Sequence, residues 1–327
     1  MGLRVDTLDS FGRIDPVEWE DLRRRSDTAT VFQSYAWNRA WWESFCLDGR
    51  RLLLVTARED GRLVGLAPLM LDAQDDTIRV VGEEHADYLA FLVDRGTPHV
   101  LSRLMSVVSE YLPDVRHAHF PQIPEGSELG RLLADRARDP RGSVLGAGRT
   151  PCPGIALTTQ ADVERILNKS SLKRHAAALD RKGKLTVDHL HHAGAIVPWL
   201  DRFFDQHVQR WAVTPYPSLF LDPRNRGFYR NLAATLSDSG EVLFTVLRVD
   251  GHLVAAHFGF VSASSLIWYK PSFDITWFRC SPGEVMLGEL VRLGGERGVG
   301  LFDFTRGDEA FKARFANVTT YNSTYRW

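Results

Sequence analysis

Two stretches of the chain alternate apolar runs around a tight turn in the same way. RRLLLVTAREDGRLVGLAPLML (50–71) and GEVLFTVLRVDGHLVAAHFGFV (240–261) each read as strand, Asp-Gly turn, strand. Asp-Gly tolerates the positive φ that a two-residue hairpin turn needs, so both predict β-hairpins, over about 52–70 and 242–261. They align at one offset of 190 residues: Leu53 with Leu243, Arg58 with Arg248, Asp60-Gly61 with Asp250-Gly251, Leu63-Val64 with Leu253-Val254. An amphipathic helix precedes each, Tyr35–Phe45 with Trp37, Ala40, Trp41 and Phe45 apolar, and Gly227–Leu236 at the equivalent place. The pattern predicts two copies of one α/β fold.

Around the hairpins, the chain predicts a strand at Leu3–Leu8 and a helix at Trp19–Arg25. The Arg-, Gly- and Pro-rich stretch Arg136–Gly154 lacks apolar periodicity and marks a boundary, giving domains 1–150 and 155–327. Beyond it come helices at Asp162–Lys182 and Trp199–Trp211, the latter with Leu200, Phe203, Phe204, Val208 and Trp211 as its stripe. Leu266–Tyr269 is a strand, and Ser281-Pro282-Gly283-Glu284 opens a helix whose apolar face is Val285, Leu287, Leu290, Val291 and Leu293. Gly294, Gly295 and Gly298 are expected to stop it, since they follow a helix and precede a strand, the wrong order for a dinucleotide loop. A strand at Val299–Phe304, a short helix at Gly307–Phe315 and a strand at Val318–Tyr325 complete a mixed α/β (α+β) sheet protein.

Composition narrows the classes without choosing among them. The 327 residues suit two domains of about 150 to 170 residues. A formal net charge of −1 leaves no general field toward DNA or other nucleic acid, or toward membrane. The three cysteines, Cys46, Cys152 and Cys280, are too scattered for a disulfide framework or zinc site, and no metal is expected. His189, His191 and His192 read as a surface turn rather than ligands. The N-terminus lacks the apolar core of a signal peptide and no run reaches spanning length, so the expected location is the cytoplasm.

The chemistry concentrates between Leu266 and Trp327. The Ser281–Glu284 helix start presents backbone N–H groups and a positive dipole end, which suits a diphosphate, with Arg279 adding charge. An ordinary capped helix would use the same residues. Lys312 lies four residues after Asp308 and three after Glu309, so the three can share a face. Such a trio sets a cation beside possible general bases; a surface ion pair is the other reading. Tyr269, at a strand end, can act as a general acid toward a leaving group or simply be half-buried. His207, Arg210 and Trp211 share a helical face, either lining a pocket or bordering the core.

The order of elements in the second half is similar to the GNAT acyltransferase fold. Ser281-Pro282-Gly283, Asp303-Phe304, Arg306-Gly307-Asp308-Glu309 and Phe311-Lys312 together resemble its CelD/BcsL-like group, akin to the FemAB/FemX transferases built from two GNAT-like domains. The resemblance covers about 160–320 well and the first half in outline. It implies direct acyl transfer from acyl-CoA, acetyl-CoA for instance, to an amine of a small-molecule, sugar (glycan) or peptide acceptor, with Ser281 and Gly283 at the donor. It also implies that Phe311-Lys312 matches the Phe-Lys pair that supplies a cation in FemX-like enzymes. His207, Arg210 and Trp211 match the family's His-x-x-Arg-Trp and would line the acceptor pocket. Lys173 and Arg174 resemble the basic helix that holds a phosphorylated acceptor; a solvated face is the alternative. Only one glycine precedes the helix, where GNAT enzymes often have a basic, glycine-rich loop. This leaves room for an aminoacyl-tRNA donor of FemX type, or for a non-catalytic accessory protein of polysaccharide synthesis.

Overall fold

A computed structural model describes residues 2–27, 30–46 and 49–327. It contains two compact units, Met1–Pro151 with Thr320–Trp327, and Cys152–Thr319. The sequence reading assigns everything from 155 onward to the second domain; here the C-terminal segment belongs to the first unit.

The first unit runs β1 (Arg4–Leu8), α1 (Pro16–Arg25), α2 (Tyr35–Phe45), β2 (Arg50–Glu59), β3 (Arg62–Asp72), β4 (Thr77–Val80), β5 (Leu92–Val93), α3 (His99–Tyr111), β6 (His117–Pro124) and α4 (Glu128–Arg138). Its strands lie in the order β1-β2-β3-β4-β6, with β5 beside β3. Among the described residues of this unit only β4 and β6 run parallel, and α3 makes the crossover between them. Trp19, Trp37 and Trp41 from α1 and α2 are fully buried in its core.

Strand β7 (Leu145–Ala156) leads into the second unit. There follow α5 (Gln160–Leu167), α6 (Ser170–Asp180), β8 (Leu185–Leu190), α7 (Ala193–Trp211), α8 (Pro223–Thr235), β9 (Val242–Val249), β10 (His252–Val261) and β11 (Ser265–Phe273). Then come α9 (Pro282–Glu296), β12 (Leu301–Asp303), α10 (Ala310–Ala313) and β13 (Val318–Arg326). The sheet order is β7-β12-β11-β10-β9-β8, again with one parallel pair, β11 and β12. Helices α5, α6 and α9 cover one face with Val163, Leu172, Leu287 and Leu290. Aromatic residues of α7 and α8 cover the other, where Phe203 meets Phe244 and Tyr229 meets Phe258.

The two hairpins repeat each other closely. Asp60 and Gly61 have φ of 50° and 83°, and Asp250 and Gly251 have 46° and 80°. Each hairpin also carries a bulge at the same place. Arg58 faces Leu63 and Ala57 faces Gly65, leaving Val64 unopposed; Arg248 faces Leu253 and Leu247 faces Ala255, leaving Val254. The closing strands are exchanged along the chain. The end of β7 pairs with β12, Ala156 opposite Leu301, whereas β13 pairs with β6, Asn322 opposite Pro124.

Three expectations from the pattern are corrected. The helix read over 162–182 is two helices, broken at Asn168-Lys169, and both pack on α9. The histidine cluster is a turn only in part: His189 lies in edge strand β8, bonded to Thr245 Oγ1 at 2.9 Å, while His191, bonded to the Val242 carbonyl at 2.9 Å, and His192 make the bend into α7. Gly294 and Gly295 do not stop α9, which continues to Glu296; only Gly298, at φ 68°, makes the turn. A Cβ on Gly288 would lie 2.4 Å from Leu172, and one on Gly295 2.8 Å from Val163. These glycines are seats for the side chains of α6 and α5.

Candidate active site at the start of the ninth helix

Strands β11 and β12 pair over only three residues, Ser265–Ile267 against Leu301–Asp303. Beyond Ile267 strand β11 keeps its pairing with β10 as far as Phe273 but has left β12, and the chain returns through α9, leaving a cavity of about 240 Å³ beside the edge that β12 no longer covers. Its walls are largely apolar, from Trp268, Phe273, Phe278, Met286, Leu287 and Phe311. Polar groups enter from Arg210, Ser272 and the first turn of α9, namely Ser281, Gly283 and Glu284.

Ser281 does not cap the helix as its sequence suggests. Its backbone is left-handed, with φ 48° and ψ 55°, and no side chain caps the first turn of α9. Pro282 has no N–H to satisfy, and Gly283 leaves the backbone bare, with a Cβ position 3.7 Å from Phe273 Cδ1. Glu284 places a carboxylate at this positive end. Arg314 Nη1 donates to it at 2.5 Å, and His175 Nδ1 lies 3.1 Å from its other oxygen, so its charge is balanced locally.

The remaining sequence candidates divide clearly by position. Arg210 lines the cavity; its Nη1 donates weakly to the Pro271 carbonyl at 3.4 Å and its guanidinium stands 4.6 Å over the Phe273 ring. His207 is buried behind it, bonded through Nδ1 to Ser218 Oγ at 2.8 Å and stacked on Trp211. Burial, with Arg210 and Lys270 nearby, pushes the His207 imidazole down to about 3, so it is neutral. Trp211 is half-buried and is not part of the cavity wall. Lys173, Arg174 and Arg279 are exposed.

Lys312 is only 3% exposed, but its ammonium turns away from the cavity. It donates to the Arg306 carbonyl at 2.7 Å and pairs with Glu309 at 2.7 Å, closing a turn in which Thr305 and Gly307 have positive φ. Asp308 and Glu309 are exposed on that turn, and the partner of Lys312 is Glu309 rather than Asp308. Phe311, beside Lys312 in sequence, is the member of the pair that reaches the cavity.

Tyr269 is buried on the opposite face of the sheet, against Phe260 and Tyr229. Successive strand residues face opposite ways, so Trp268 takes the cavity side. Trp268 is held by His257, fully buried and stacked on its indole at 4.7 Å. His257 Nε2 accepts the Tyr269 N–H at 3.1 Å where the ladder shifts register, between Phe258 and Phe260. Sequence reading missed Trp268, Ser272, Phe273, Met286 and His257. Strand alternation around Tyr269 was the signal available for Trp268.

Residues 168–313 match the family described as Acetyltransferase (GNAT) domain. The second unit has the GNAT fold. FemX superposes on the whole chain with TM-score 0.64 at 11% identity, covering 100% of this chain and 97% of FemX. The C-terminal DUF2156 domain of a proposed lysylphosphatidylglycerol synthetase from Agrobacterium fabrum gives TM-score 0.62 at 15% identity, over 97% and 92% of the two chains. A tandem GNAT protein from the clavulanic acid biosynthesis pathway gives 0.51 at 12%, over 99% and 98%. These likenesses establish a tandem GNAT arrangement of the FemX kind as the fold. No curated protein matches the sequence. Among the described residues no helix is long and apolar enough to cross a membrane.

Proposed function

We propose that this GNAT-type transferase moves an acyl group from acyl-CoA to an amine. The observation that carries the reading is the cavity where β11 leaves β12, with the uncapped start of α9 in its wall. The Gly283 N–H and the Ser281 hydroxyl would hold the donor's diphosphate, since the Ser281 N–H is already donated to the Phe278 carbonyl, and exposed Arg279 would add positive charge near the helix start. The amine nitrogen attacks the thioester carbon: a C–N bond forms, the C–S bond breaks, and sulfur leaves with the electron pair. The proton lost by nitrogen ends on the thiolate. Of the carboxylates, Glu284 is the one that lines the cavity, which makes it the base to test, in place of exposed Asp308 and Glu309.

Calorimetric titration with acetyl-CoA tests the donor. The wild type is expected to bind one equivalent, and Gly283→Asp to bind at least about tenfold more weakly, because it adds a negative charge at a helix start. The Cβ has room there, so the variant is expected to fold. Equal affinity in the folded variant removes α9 from the donor site.

A second reading, an aminoacyl-tRNA donor, is supported by the FemX likeness and by the exposed bases Lys173, Arg174, Arg181 and Lys182 on and after α6. It predicts tRNA binding that weakens steeply with salt and no acetyl-CoA binding.

A further inference from the structure

Arg210 differs from the paired arginines around it, and from exposed Arg202 and Arg279, in being partly withdrawn from water without a carboxylate. On α8, Arg226 and Arg230 pair with Asp205 and Asp201 of α7, and Arg314 pairs with Glu284. Arg210 has no carboxylate within ion-pair distance among the described residues; its contacts are one weak carbonyl bond and the faces of Phe273 and Trp211. A guanidinium withdrawn from water without a counter-charge is costly, and burial alone pulls its pKa down, with no acid opposing. Across the same cavity wall, Ser272 is 2% exposed, and its hydroxyl has no hydrogen-bond partner. Buried polar atoms are rarely left unpaired, and here a cation with a fork of donors and a spare hydroxyl line one apolar space.

We propose that Arg210 and Ser272 form an anion subsite of this cavity, and that it takes the carboxylate of the acceptor. The acceptor is then an amine that also carries an acid group and an apolar or aromatic body, such as an amino acid with a hydrophobic side chain. Trp268, Phe273 and Phe311 would cover that body. Naming the anion as the acceptor's rests on the acyl-transfer reading; the anion subsite itself does not. The donor's diphosphate is the competing source of the same chemistry, and the test separates them.

Phenylacetate and its neutral isostere phenylacetamide are titrated calorimetrically into the full-length protein, with and without acetyl-CoA. The wild type is expected to bind phenylacetate at least about tenfold more tightly than the amide, a fold-change typical of one charge-assisted contact. Arg210→Gln is expected to erase the difference, and Ser272→Ala to reduce it about threefold without touching any charge. Acetyl-CoA affinity should stay within about twofold in both variants. Equal binding of the two probes by the wild type, or binding of neither, overturns the subsite. If Arg210→Gln weakens acetyl-CoA as strongly as phenylacetate, the anion is the donor's and the acceptor assignment falls. If acetyl-CoA fails to bind the wild type while phenylacetate discrimination holds, the acyl-CoA reading fails and the anion subsite stands.

Discussion

At the residue scale, Lys312 shows how a spacing can be legible while its purpose is not. That it would pair with an acid on its own turn follows from the sequence; that Glu309 wins over Asp308 depends on positive φ at Thr305 and Gly307, which no periodicity reveals. Lys312→Met leaves the Arg306 carbonyl without its buried donor. The expected loss is about 1–3 kcal/mol of stability, read from the urea midpoint. An unchanged midpoint with turnover reduced about 10²- to 10³-fold would instead put the ammonium at the reacting carbonyl. Arg210 was legible from its helical face with His207 and Trp211. Ser272 was not, because an unpaired hydroxyl is visible only once its surroundings are known. The buried histidines bear on pH. His207 and His257 are both pushed down to about 3 by burial, against 6.5 when exposed. The unfolded chain therefore binds more protons between those values. Their contribution is complete above about pH 6.5, falls as pH drops, and levels off near 3. The slope approaches about 1.4 kcal/mol per pH unit for each histidine. Urea unfolding at pH 7.5, 5.5 and 4.5 measures it, and His257→Gln should remove about half of the part that His207 and His257 contribute, the smaller shares of His117, His189 and His191 remaining, while keeping an acceptor for Tyr269 N–H.

At the element scale, the hairpins were read well because Asp-Gly carries its own backbone requirement, and the repeat extends even to the bulges at Val64 and Val254. Edge strand β8 was missed since it is half-buried throughout, so its alternation is faint. Face parity misled at Tyr269: one position along β11 decides between the cavity and the aromatic core. Helix α9 gives a sharper test of packing. Intrinsic helix preference favours Gly288→Ala by about 1 kcal/mol. Leu172 occupies the space its methyl needs, so the net change is expected to be destabilising by about 1–2 kcal/mol, because overpacking outweighs propensity. Gly194→Ala, where nothing lies within 4 Å of the new carbon, serves as the control and should be neutral or stabilising. Equal midpoints for Gly288→Ala and wild type would mean that α6 shifts freely over α9.

At the scale of the whole molecule, length and a repeat were enough to anticipate two copies of one α/β fold, and the resemblance of the second half supplied its GNAT character, but the exchange of closing strands was hidden. A strand pattern says that a segment will pair and does not say with which edge. The fit of β13 to β6 is specific: Asn322 is buried, and its amide donates to the Asp87 carbonyl at 2.8 Å. Strand β6 therefore waits for a partner that is synthesised roughly 200 residues later, a contact of very high sequence separation. The first half cannot complete its sheet on the ribosome while the second is still being made. Chains stalled after β9 should keep Met1–Pro151 protease-sensitive, and chains extended far enough to release β13 should protect it. Resistance of that segment at the earlier stall would show that the first sheet closes without its last strand. Until then the unpaired edge of β6 is an aggregation hazard, so the amount of folded product depends on how quickly translation reaches β13.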